Sequence, residues 1–69
     1  MSYHVLHFSI NPEIPGRDII IAVLSQFEFD SFAETNQGLD AYIASEKWTA
    51  ELESQIRIIH IPNVEFQRS

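Results

Sequence analysis

Hydrophobic and polar positions alternate along the first residues of the chain. Leu6, Phe8 and Ile10 fall on one side of an extended backbone and Val5, His7 and Ser9 on the other, which predicts a strand over Tyr3–Ile10 with one core face. Asn11-Pro12-Glu13-Ile14-Pro15-Gly16 ends it. Neither proline has an amide to give to a ladder, and Gly16 is expected to relax the backbone just before a helix. The stretch Gly16 to Glu34 then changes period. Ile20, Val23, Leu24 and Phe27 recur at i, i+3, i+4 and i+7, the stripe of a helix from about Arg17 to Phe27, with Asp18 as its cap or first-turn acid. Ile19 and Ile21 make that stripe wider than one face requires.

Phe29 to Thr35 reads as a second extended segment. Phe29 and Phe32 are three apart and cannot share a face of a regular strand, so either a bulge sits near Asp30-Ser31 or one ring faces outward; an outward Phe32 is the expectation. Asn36-Gln37-Gly38 supplies a turn, and Leu39, Ala41 and Ile43 form the inner face of the next strand, with Asp40, Tyr42 and Ala44 outside. Ser45 is expected to cap a second, weaker helix through about Gln55, with Glu46 in its first turn and Trp48 and Leu52 on one side. Two runs then compete for the last strand, Ile56–Ile61 and Val64–Gln67, separated by Pro62-Asn63.

Strand, helix, strand, strand, helix, strand is the split βαβ order of a ferredoxin-like α+β two-layer sandwich (βαββαβ). Two helices cover one sheet face and leave the other open. By the alternation, Val5, His7, Phe32 and Tyr42 would lie on that open face, an apolar and aromatic patch suited to a partner. The chain stops at Ser69 within an extended pattern. The expectation is therefore a fragment of a longer protein with its last strand cut short.

Length and charge narrow the picture. Sixty-nine residues with 45% hydrophobic content make one domain, 1–69, near the lower size limit for a self-sufficient core, so a homodimer or a missing neighbouring domain is expected. Ten acidic residues against four basic ones give a formal charge of -6. Nucleic acids and anionic membranes would repel such a chain, whereas a basic protein would be attracted. There are no cysteines, no signal-like start and no apolar run of spanning length, which points to the cytoplasm.

Nothing in the sequence assembles a reaction centre. Glu28, Asp30 and Glu34 lack the oxygen-rich loop spacing of a metal site and read as solvated surface; His4, His7 and His60 lack a completing ligand, and His4 and His7 point to opposite faces. The two glycines sit at unrelated turns, so no phosphate loop exists. Arg17, at a helix start, reads as an exposed arginine before it reads as an anion ligand, and Trp48 as a packed anchor. No catalytic, cofactor-binding or metal residue is assigned. Acylphosphatases and RNA-recognition modules share this strand order, but NPEIPGR is not the arginine loop of the former and LDAYIA lacks the basic and aromatic interleaving of the latter.

The segment NPEIPGRDIIIAVLSQFEFDSFAETNQGLDAYI, beginning at Asn11, carries three phrases: P-x-x-P-G-x-D into the first helix, F-x-S-F-x-E-T over Phe29 to Thr35, and G-L-x-A-Y-I over Gly38 to Ile43. In these it resembles the amino-terminal domain of the bacterial ribosomal protein L-eleven methyltransferases, in particular those of the Bacteroidetes group. The resemblance implies a ferredoxin-like domain that recognises the ribosomal protein, while a separate Rossmann-like domain binds S-adenosylmethionine and transfers the methyl group. It places no cofactor or catalytic residue on this chain. Glu28 departs from the family pattern, which commonly has glycine there. Phe32, Glu34, Asp40 and Tyr42 are the residues expected to bind the partner.

Overall fold

The computed structural model describes residues 2–68. Among the described residues four strands and two α-helices follow one another: β1 (Tyr3–Asn11), α1 (Glu13–Leu24), β2 (Ser31–Glu34), β3 (Gly38–Ala44), α2 (Ala50–Arg57) and β4 (Glu65–Arg68). The strands form one antiparallel sheet in the order β2-β3-β1-β4. This is the ferredoxin-like α+β arrangement that the element order predicts. Period-2 alternation assigns the inner face: Leu6, Phe8 and Ile10 of β1 and Leu39, Ala41 and Ile43 of β3 are buried, the last three completely. Ile20 and Leu24 of α1 close over them, and Ile56, Ile61 and Val64 fill the end beneath α2.

The first helix begins earlier than the periodicity suggests. Its opening turn is irregular: Ile14 has φ -120° and ψ 122°, so regular helix sets in at Pro15, and the element ends at Leu24, with Ser25–Glu28 turning away. Asp18 therefore lies inside the helix and is not its cap. Gly16 is also inside it and buried. A Cβ there would stand 2.7 Å from Ile10 Cγ2 and 3.2 Å from Val64 Cγ1, so glycine serves close packing of α1 on the sheet. Gly38 is tighter still, since an added Cβ would meet the Phe8 carbonyl oxygen at 2.4 Å.

Arg17 is not an exposed arginine; its donors are engaged within the chain. Its side chain is 14% exposed, its Nε donates to the Gly38 carbonyl at 2.9 Å and its Nη2 to the Thr35 carbonyl at 3.1 Å. Glu13 at 3.3 Å and Glu34 at 3.6 Å flank the guanidinium. The residue clamps α1 to the β2–β3 turn by charge-assisted bonds that a hydrated surface arginine would not form.

Phe32 faces inward, contrary to the expectation. Its register partner is Ala41, an inner-face residue, and its ring packs partly against the core, 6.1 Å from that of Phe29. The entry to β2 explains how two rings three residues apart share a side. Tyr42 is paired with Ser31, yet its carbonyl also takes the Asp30 amide at 2.8 Å, so two residues oppose one, as in a bulge.

The second helix starts four residues late relative to a Ser45 cap. Ser45–Lys47 form a single 3₁₀ turn, and Thr49 is the N-cap, accepting the Leu52 amide on Oγ1 at 3.1 Å. The threonine that interrupts the apolar pattern is thus the start signal. Ile56–Ile61 does not form the last strand. The helix runs through Arg57, and Ile61 and Val64 plug the core end around a turn in which Asn63 takes φ 67°. The later run supplies β4, with Ile10 opposite Phe66 and Phe8 opposite Arg68.

Candidate functional site

The sheet face away from the helices is built by the outward residues of the same strands. Register lays them in rows: Ser31, Tyr42 and Val5 form one, Ala33, Asp40 and His7 the next, and Tyr3 stands opposite Ala44 at the end. Tyr3 is 52% exposed, and Val5 and Tyr42 are half-buried among their neighbours. Ala44 is buried although alternation puts it on this face. Beside Tyr42, His7 Nδ1 lies 2.8 Å from Asp40 Oδ1 across the β1–β3 pair, and Ser9 Oγ donates to Gln37 Oε1 at 3.5 Å. A shallow polar depression follows, lined by His7, Ser9, Asp40 and the turn residues Thr35, Asn36 and Gln37.

The charges on this face have one sign. Asp40 and Glu65 belong to it by register, whereas no lysine or arginine does. All four basic residues lie elsewhere: Arg17 is clamped on α1, Lys47 lines a groove with α2 residues, Arg57 pairs with Glu53 at 3.4 Å, and Arg68 points to the helix side with Phe8. Placement of all four cations off this face leaves it more acidic than composition alone implies.

Of the four residues expected to bind a partner, Asp40 and Tyr42 sit together on the open face. Phe32 and Glu34 do not join them there. Their β2 positions are registered with Ala41 and Leu39, both on the inner face, and the Glu34 side chain, 71% exposed, reaches towards Arg17 at the sheet margin. Val5 and His7 occupy the open face as alternation predicts. The His7–Asp40 pair was not foreseen; the register between the first and third strands is set by the whole fold and carries no local sequence signal.

A second cluster lies beneath α2 on the covered side. The His4 ring stacks on Trp48 with centroids 4.4 Å apart and 16° between planes, and the Arg68 guanidinium sits 6.0 Å from the same indole. Trp48 is the packed anchor expected of it. Arg68 also pairs with Glu53; the hydrogen bond between them holds the Glu53 carboxyl below its ordinary value and raises Arg68. Both side chains are about a quarter exposed. Glu53 Oε2 and Arg68 Nη1, on the same two groups, are buried without hydrogen-bond partners. This cluster ties β4 to α2 and offers no catalytic geometry.

Among the described residues no three histidines or carboxylates gather as a metal site, and no helix is long and apolar enough to cross a membrane. Glu28 is not in a left-handed conformation, which only Asn63 adopts among the described residues. Comparison of the chain with protein-family models, with curated proteins and with solved structures yields no match.

Proposed function

We propose that this domain is a protein-recognition module that docks a basic partner on its open sheet face. The observation that carries the reading is the composition of that face: Tyr3, Val5 and Tyr42 provide apolar contact area, Asp40 and Glu65 provide charge, and every lysine and arginine is directed elsewhere. Tyrosine suits such a surface because it adds a large contact at low side-chain entropy cost and keeps a polar tip. The sequence resemblance supplies the identity of the partner in this reading, ribosomal protein L-eleven in the cytoplasm. Methyl transfer then belongs to a separate domain that holds S-adenosylmethionine, and this segment contributes substrate recognition alone.

Calorimetric titration with purified ribosomal protein L-eleven at low and high salt tests the reading. Saturable binding that weakens with salt is expected, together with a loss on Tyr42→Ala in a variant that keeps its fold. No heat from a folded sample removes the ribosomal partner. A stand-alone domain that dimerises through the same uncovered tyrosines, or binds a small effector there, is the rival. Its dimer form brings two chains of formal charge -6 together, so sedimentation should show association strengthening with salt.

A further inference from the structure

The edge strand β2 has, among the described residues, a backbone edge with no partner. The hairpin fixes which groups it presents. Thr35 and Gly38 exchange both backbone hydrogen bonds, at 3.1 and 3.3 Å, so in an antiparallel ladder the pairs Ala33–Asp40 and Ser31–Tyr42 are also hydrogen-bonded, while Glu34–Leu39 and Phe32–Ala41 are not. The amides and carbonyls of Phe32 and Glu34 consequently point away from β3 into solvent. These four groups are spaced to accept another extended chain.

Resting on the recognition reading above, we infer that this edge takes an extended, basic segment of the partner as a fifth strand. Charge selects the occupant. Glu28 and Asp30 are exposed just before the strand, Glu34 is 71% exposed on it, and Asp40 lies in the adjoining strand. The nearby cation, Arg17, donates to the Gly38 and Thr35 carbonyls and stands 3.6 Å from Glu34, so it offsets that one carboxylate in part and leaves Glu28, Asp30 and Asp40 uncompensated by it. Edge-to-edge pairing of two copies would set these carboxylates against one another, whereas a lysine-bearing strand would be drawn to them. The small side chains of Ser31 and Ala33 on the open face leave room beside the added strand for its own side chains to reach the Asp40 row. Recognition is therefore continuous from the open face around the β2 margin.

The probe is a short capped peptide alternating lysine and valine, with a second version N-methylated at alternate residues so that one edge of its backbone cannot pair. Amide hydrogen exchange of the full chain should show the Phe32 and Glu34 amides slowed by the first peptide, and the N-methylated version should bind about tenfold more weakly or worse for the loss of its backbone bonds. Glu34→Gln keeps the amide and should retain slowed exchange with a smaller salt dependence; Glu34→Pro removes it and should lose that binding. If Glu34→Pro does not fold, the two peptides on the unaltered chain decide the matter. Equal affinity of both peptides, unchanged exchange at Phe32 and Glu34, or no peptide binding overturns the strand addition. The two readings fail separately: ribosomal protein binding that depends on Tyr42 but leaves β2 exchange unchanged refutes only the strand addition, and peptide protection without ribosomal protein binding refutes only the partner.

Discussion

The two faces of the sheet are made from the same strands, residue by residue in alternation, and have opposite characters. On the covered face Leu39, Ala41 and Ile43 are wholly removed from water. One residue along, Asp40 and Tyr42 meet solvent and belong to the surface from which recognition is argued. A core face is constrained by packing to apolar residues of matched volume, whereas an open face is constrained by little except what it must bind. The contrast makes chemically unlike neighbours in sequence informative about different things: one about stability, the other about partners.

Neighbouring substitutions break the comparison most directly. Ile43→Ala should cost about 2–5 kcal/mol in urea unfolding, because a fully buried side chain leaves a cavity. Tyr42→Ala should stay within about 1 kcal/mol, since its ring is only half-buried and its loss opens no enclosed space. Similar costs for both would mean that the open face is structurally required and would remove the basis for reading it as a binding surface.

Arg17→Met sharpens the boundary between the faces, because this side chain joins the helix layer to the β2–β3 turn. It leaves the Gly38 and Thr35 carbonyls without their charged donor, and the expected loss is about 2 kcal/mol, with amide exchange rising at Thr35 and Gly38 before the rest of the sheet. A change below about 0.5 kcal/mol, the usual size for a surface substitution, would return Arg17 to the role of an exposed arginine.

The covered face was largely legible in the sequence and the site only in part. Leu6, Phe8, Ile10, Leu39, Ala41 and Ile43 were readable because alternation is local, and Ile20 and Leu24 because a helical stripe is local. Phe32 was misplaced because a bulge at Asp30-Ser31 resets the alternation, and nothing in the composition of that stretch separates a bulge from an outward ring. Arg17 was misjudged because its acceptors are backbone carbonyls eighteen and twenty-one residues away, which no side-chain pattern reveals. The run Ile56–Ile61 carried a strand-like composition but lies where the helix C-terminus and the Pro62-Asn63 turn cap the core, so tertiary context overrode β-propensity. Thr49 shows the reverse case, a polar interruption that is itself the helix signal.

On the covered side the ion pair under α2 gives a pH test. The Arg68 hydrogen bond lowers the Glu53 carboxyl from its ordinary value of 4.5. A carboxyl depressed in the folded state stabilises above its unfolded value, and the contribution disappears as pH falls through the folded value. The stability gap between the unaltered chain and Glu53→Gln should therefore be full at neutral pH and close in acid. A gap independent of pH would show that Glu53 acts through packing alone.

Asp40→Asn makes the smallest change and asks the most pointed question of the open face. Asparagine can keep a hydrogen bond to His7, so stability should move by no more than about 0.5 kcal/mol. The charge is lost while the shape is kept. Association with ribosomal protein L-eleven should slow and its salt dependence should flatten, with dissociation little altered, because a charge that is not fully desolvated acts mainly on encounter. Unchanged association rates at low salt would move the steering to acids outside this face. Faster dissociation with an unchanged salt slope would instead make Asp40 a contact held by its hydrogen-bonding geometry, and its pairing with His7 would then be the feature that positions it.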